Sequence, residues 1–397
     1  MSTRLIRNIG ELTTNDPTLG DATKLGRLVD AALVFDEERV LWVGPSARAP
    51  AADQMFDAHG AAVIPGFVDS HTHLVFAGER SREFEARAAG RRYDGGGIRE
   101  TVIATRAASF AQLVDATKRR ARELRANGVT TVEIKSGYEL TVAGEARLLD
   151  VAALFSDERT FLGAHVVPEE FSHDRDGYVN VVAGAMLEAC AGRARWADVF
   201  CDAGAFSVDE ARHILCAARA AGLELRVHAN QLVEGGGVAL ALELDAASVD
   251  HCTHVNDADV ERLGAGTTVV TLLPGAEFCT GSPYPSARRF LEAGATVALA
   301  TDCNPGTSYL TSMALVIALA VREMGMSADE ALWAATLGGA RALRRNDVGH
   351  LGVGARADVV LLDAPRAAHL AYRPGGAVVD TTWRARRPGV ADREEIW

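Results

Sequence analysis

The stretch Val63-Ile64-Pro65-Gly66-Phe67-Val68-Asp69-Ser70-His71-Thr72-His73 is an apolar run that ends in two histidines spaced i, i+2. Side chains alternate along an extended chain, so His71 and His73 share one side of it, where two imidazoles can chelate a single metal ion. Short apolar runs recur down the sequence, and most of them close on a reactive side chain. The runs cover residues 62–69, 128–135, 161–167, 197–201, 223–228, 247–251, 267–273 and 296–301, eight in all. Helical patterns at 98–127, 141–155, 179–192, 207–221 and 312–325 lie between or after them. Ser207-Val208-Asp209-Glu210 reads as a capping box at one helix start. Such alternation implies parallel strands joined by helical crossovers, and eight is the number a (β/α)8 barrel requires. A doubly wound sheet gives the same local signals and stays open at this point.

The run ends carry His71/His73, Lys135, His165, Cys201/Asp202, His228, His251 and Asp302. A lone histidine on a strand is more often a satisfied core residue than a ligand. In a barrel, however, the carboxyl ends of all strands meet on one face, so these residues would converge. His71, His73, His228 and Asp302 then form a three-imidazole, one-carboxylate set, whose nitrogen-rich donors suit Zn2+ or Fe2+ better than Mg2+. With a coordination position left for water, this is a hydrolytic centre. The competing non-enzymatic reading is a metal that only pins the fold, in a site closed by protein ligands.

Outside the runs, 32–35 and 40–44 flank the polar turn Asp36-Glu37-Glu38-Arg39 as a hairpin, and 357–363 and 377–383 supply further strands at the far end. The division expected is residues 1–60 and 346–397 for the two parts of one small β-sandwich, with the catalytic barrel at 61–345 between them.

Composition narrows the function. The chain has 397 residues, 48% of them hydrophobic, and 41 Lys+Arg against 53 Asp+Glu give a charge of −12. That length buries a large core, and the acidic balance disfavours nucleic acid as a partner. The longest clean apolar run, 313–321, is too short to span a bilayer. The start of the chain lacks a secretory pattern, and six scattered Cys without C-x-x-C pairs suit a reducing compartment, so a cytoplasmic protein without membrane association is expected. Gly235-Gly236-Gly237 lacks the P-loop pattern, and Cys303 reads as a small buried residue.

Residues 64–73 resemble the opening motif of the amidohydrolase superfamily. More narrowly, the chain is similar to the imidazolonepropionase family at Phe76-Ala77-Gly78-Glu79-Arg80, Ile134-Lys135-Ser136-Gly137-Tyr138, Asp198-Val199-Phe200-Cys201-Asp202, Leu273-Pro274-Gly275-Ala276 and Thr301-Asp302-Cys303-Asn304-Pro305-Gly306-Thr307. The resemblance implies a metal-dependent hydrolase barrel with a composite β-sandwich, opening 4-imidazolone-5-propanoate to N-formimino-L-glutamate in histidine degradation. It implies one Zn2+ or Fe2+/Fe3+ ion per chain, because the bridging Lys that binuclear relatives carry after the fourth strand has no counterpart in 196–202; Lys135 is then structural or substrate-facing. Asp302 would take the proton of the attacking water, His251 would polarise the ring carbonyl or stabilise the developing oxyanion, and Gln231 would orient water or ring. Arg80 would clamp the propanoate carboxylate, and Tyr93, Tyr138, His165, Asn304, Gly306 and Thr307 match substrate-binding positions, although the segment Gly90 to Gly97 around Tyr93 is shorter than the family pattern. A homodimer is implied as well. The rival is a nucleobase deaminase of the same superfamily, which carries Glu where His228-Ala229-Asn230-Gln231 has Gln231; an amide cannot serve as general acid.

Overall fold

The computed structural model describes residues 2–90 and 97–385, and Tyr93 lies outside the described residues. In chain order the strands are β1 (Arg4–Thr13), β2 (Arg27–Phe35), β3 (Val40–Pro45), β4 (Gln54–Asp57), β5 (Ala62–Pro65), β6 (Phe67–Asp69), β7 (Val129–Lys135), β8 (Glu158–Ala164), β9 (Trp196–Cys201), β10 (Glu224–Ala229), β11 (Ser248–His251), β12 (Val269–Leu272), β13 (Val297–Leu299), β14 (Val359–Leu362) and β15 (Val379–Trp383). They form two sheets. An eight-stranded sheet runs in strict chain order from β6 to β13, parallel throughout. A seven-stranded sheet has the order β15-β14-β5-β1-β2-β3, with β4 alongside β1.

The eight-stranded sheet closes on itself. Past the ends of β6 and β13, the Asp302 N–H donates to the His71 carbonyl at 3.1 Å and the His73 N–H to the Cys303 carbonyl at 3.0 Å, with Thr72 and Cys303 in parallel bridge register. Side chains reinforce this seam: the Thr301 N–H and Oγ1 both donate to Asp69, at 3.0 and 2.6 Å. All eight expected runs therefore become barrel strands, and the doubly wound alternative is excluded.

The helices follow their local signals. Ser207 and Glu210 make the expected capping box for the helix Val208–Ala220. The pattern over 98–127 is divided into Ile98–Ala107 and Phe110–Ala126, because Ser109 and Gln112 form a second capping box that starts a new helix there.

The chain ends build the other sheet, with β2 and β3 paired as the expected hairpin and β14 antiparallel to β15. The sheet curls over its own core of Ile6, Ile9, Leu33, Phe35, Val63 and Val359, so that Trp383 on β15 meets Phe35 and Phe56 edge-on, with ring centroids 5.9 and 5.4 Å apart. It extends past residue 60. Ala62–Pro65 pairs with β1 and β14, whereas Phe67–Asp69 pairs with β7, so the run 62–69 is shared between the two sheets.

Gly66 is the hinge between them. A Cβ there would lie 2.2 Å from Thr130 Oγ1 and 2.4 Å from its methyl, a buried and β-branched neighbour with little room to retreat. We expect Gly66→Ala to destabilise the fold by about 1–3 kcal/mol, as overpacking does, read as a lowered midpoint in urea unfolding.

Candidate metal centre and substrate cleft

His71 and His73 follow β6, His228 lies in β10, and Asp302 follows β13. All four are buried at the barrel's carboxyl face. The Nε2 atoms of His71 and His73 each lie 3.6 Å from Asp302 Oδ1, and the Nε2 atoms of His228 and His73 are 3.4 Å apart. Two ligands about 2.1 Å from one tetrahedral ion are about 3.4 Å from each other, so this spacing fits a shared metal. His71 Nε2 is buried without a hydrogen-bond partner among the described residues, as an open ligand atom would be. Burial holds His71 and His73 well below the usual imidazole range, so they present neutral lone pairs. Burial also pushes Asp302 well above the ordinary carboxylate value, a penalty that a cation at this point would relieve.

Behind the imidazoles stand two carboxylates. Asp250 Oδ2 is 2.8 Å from His71 Nδ1, and Asp198 Oδ2 is 2.9 Å from His228 Nδ1, which leaves Nε2 of each ring turned toward the site. Each carboxylate has its own cation: Lys135 Nζ lies 2.9 Å from Asp198 and 3.0 Å from Glu133, and Arg226 Nη2 lies 3.2 Å from Asp250. Burial alone would raise the carboxyl of Asp198, but His228 and Lys135 outweigh it and hold the group below the usual carboxylate range. Lys135 is thus committed to Glu133 and Asp198 beneath the ligands, which is the structural role of the alternatives left open by the sequence. Glu133, Asp198 and Asp250 against Lys135 and Arg226 leave one negative charge, and Asp302 adds a second. A divalent ion would balance them.

Above the candidate ligands a cleft of about 420 Å³ opens, lined by His73, His228, Asp302, the expected catalytic residues His251 and Gln231, and most of the residues expected to bind substrate: Arg80, Tyr138, His165, Asn304 and Thr307. Arg80, nearly buried, pairs with Glu83 at 2.6 Å, and Glu83 also pairs with Arg87 at 2.6 Å. Two guanidinium groups thus share one carboxylate. Gly306 does not line the cleft; it lies under Arg80, where a Cβ would come within 2.2 Å of Nη1. Asn304 shapes its own turn, its Oδ1 accepting the N–H groups of Gly306 and Thr307 at 2.8 Å each. His165 Nδ1 is 3.0 Å from the Gly137 carbonyl, to which it donates, and burial lowers the ring's pKa to about 3. Cys303 is fully buried, as expected of a small core residue, and burial raises its thiol pKa far above the ordinary value.

Asp198, Asp250, Glu133 and Arg226 belong to the site but were not singled out from the sequence. Their signal was a charge inside an otherwise apolar strand run, and all four are buried.

Residues 62–385 match the family model described as Amidohydrolase family. An imidazolonepropionase of Streptomyces griseus is 59% identical over 385 residues, covering 97% of this chain and 99% of that protein. One from Mycolicibacterium smegmatis is 59% identical over 97% of each chain. Among solved structures, atrazine chlorohydrolase from Arthrobacter aurescens in complex with zinc superposes with a TM-score of 0.72 at 18% identity, over 99% of this chain and 98% of that one. N-isopropylammelide isopropylaminohydrolase from Burkholderia multivorans gives 0.69 at 22% identity, over 97% and 98%. At these identities the structures share the fold.

Two variants test the support beneath the ligands. Lys135→Met strands the two buried carboxylates and should cost about 3–5 kcal/mol in urea unfolding. Asp198→Asn should weaken metal retention by about 10–100-fold, measured by competition with a chelator.

Proposed function

Because the chain belongs to the amidohydrolase family and, within it, to the imidazolonepropionases, hydrolases of histidine degradation, we propose that this cleft opens 4-imidazolone-5-propanoate to N-formimino-L-glutamate at one Zn2+ or Fe2+ ion held by His71, His73, His228 and Asp302. The observation that carries the assignment is the 3.4–3.6 Å spacing of these ligand atoms, backed by Asp250 and Asp198. A single ion is supported by Lys135 and Arg226, whose charges already serve the carboxylates beneath the ligands.

When bound, the ion supplies Lewis-acid activation of water. Asp302, as general base, takes the proton of the attacking water, which adds to the ring carbonyl carbon. The carbonyl C–N bond then breaks, and the proton passes to the departing nitrogen. His251, held neutral mainly by burial, keeps one N–H to offer the oxygen on which charge develops. Gln231 can orient water or ring through its amide but cannot carry the proton. That also disfavours the deaminase reading.

Arg80 is the clamp for the propanoate. Its guanidinium lines the cleft beside Glu83, and a planar guanidinium matches the geometry of a substrate carboxylate. Tyr138, beside His73 and His165 with ring centroids 5.8 and 5.3 Å away, supplies a wall for the planar ring.

The purified chain should hydrolyse 4-imidazolone-5-propanoate and leave guanine and cytosine unchanged; the converse would overturn the assignment. Elemental analysis should find one ion per chain, and a chelator should abolish turnover reversibly while the fold persists. His251→Asn should lower kcat by about 10²–10³-fold with metal retained, the scale of losing one oxyanion donor. Arg80→Ala should act mainly through KM.

A further inference from the structure

His251 Nδ1 is buried and has no hydrogen-bond partner among the described residues, so no bond at that nitrogen sets the direction of the ring. Its aim comes from the backbone. His251 and the next residue, Cys252, both lie in the left-handed region, with φ of 76° and 55°. Two consecutive non-glycine residues hold that conformation only where the surroundings enforce it.

The turn is gripped from both flanks. On the β10 side, the Asn230 carbonyl accepts the His254 N–H at 2.9 Å and Asn230 Nδ2 donates to the His254 carbonyl at 2.8 Å. On the β12 side, Thr253 Oγ1 donates to Glu277 Oε1 at 2.8 Å. Glu277 lies in the helix Pro274–Thr280, which follows β12, and only 2% of it is exposed. That helix is wedged against the end of β13: a Cβ on Gly275 would lie 2.5 Å from Ser308 Oγ and 3.4 Å from the Thr301 carbonyl oxygen. Glu277 is therefore a rigidly seated group between the strand ends that carry His251 and Asp302.

We propose that Glu277 is a positioning residue of this hydrolytic site: by accepting the Thr253 hydroxyl it fixes the left-handed turn at His251 and so aims the imidazole at the reacting carbonyl. The proposal rests on the electrophilic role of His251 stated above. Burying a carboxyl is costly, and Glu277 Oε2 has no hydrogen-bond partner among the described residues, so the side chain sits there against its own solvation preference. Burial pushes its pKa up to about 7, yet Oε1 accepts the Thr253 hydroxyl in either protonation state, so the grip persists across neutral pH.

The test uses the full-length, metal-loaded enzyme. Glu277→Ala should lower kcat by about 10–100-fold, the scale of a small misplacement of a catalytic group, with KM and metal content unchanged. Glu277→Gln keeps an acceptor for Thr253 and should recover most of that loss. Thr253→Val should reproduce the Glu277→Ala loss, and the double variant should lose no more than either single one. Adding Glu277→Ala to His251→Asn should likewise cost nothing further. The proposal is overturned if folded Glu277→Ala keeps its kcat, if metal content falls with activity, if Glu277→Gln recovers nothing, or if either double-variant pair multiplies its losses. If Glu277→Ala does not fold, Thr253→Val decides: an unchanged kcat overturns the proposal. Near-normal turnover by His251→Asn would instead show that the His251 reading itself had failed.

Discussion

Lys135 holds its ammonium between Glu133 and Asp198 in the closed interior of the barrel, and the site is built upward from that contact. His228 and the ammonium together keep Asp198 ionised, Asp198 stands 2.9 Å from one nitrogen of His228, and the other nitrogen faces the candidate metal position. Arg226, Asp250 and His71 repeat the arrangement beside it. Removing any member would strand a charge where water cannot reach it, which is why the layer is rigid. Rigid imidazoles with their free nitrogens at ligand spacing are what a hydrolytic metal site needs before an ion arrives.

The barrel closes through the same residues that are proposed to carry the chemistry. His71, His73, Asp302 and Cys303 exchange the backbone hydrogen bonds that join the first strand to the last. Ligand geometry and barrel closure are therefore one constraint: a shift between β6 and β13 would pull Asp302 from the two histidines. The curled terminal sheet bears on this seam, because Ala62–Pro65 is one of its strands and leads through Gly66 directly into β6.

Much of this was legible in the chain. Seven of the eight apolar runs ended in reactive side chains, and all eight became barrel strands, because a strand buried on both faces is mostly apolar. The candidate ligands His73, His228 and Asp302, together with His251, Arg80, Tyr138, His165, Asn304 and Thr307, were identifiable by their positions at or just after run ends or in short motifs, and they line one cleft, with His71 beside them. The sharing of run 62–69 between two sheets was not legible, since β5 and β6 are equally buried and differ only in their partners. Nor was the break at Ser109 visible in a helical pattern that continues across it.

The sequence alone determined the strand count, the alternation of parallel strands with helical crossovers and the residue types at the strand ends, because these follow from local periodicity and from which side chains tolerate burial. Only the tertiary structure decided that the eight strands close into a barrel, which carboxylate stands behind which imidazole, that Lys135 and Arg226 are spent on those carboxylates, and that Glu277 meets Thr253. Those pairings join residues on separate elements, many of them far apart in the chain. Their distances are set by the closure of the barrel and by no local pattern.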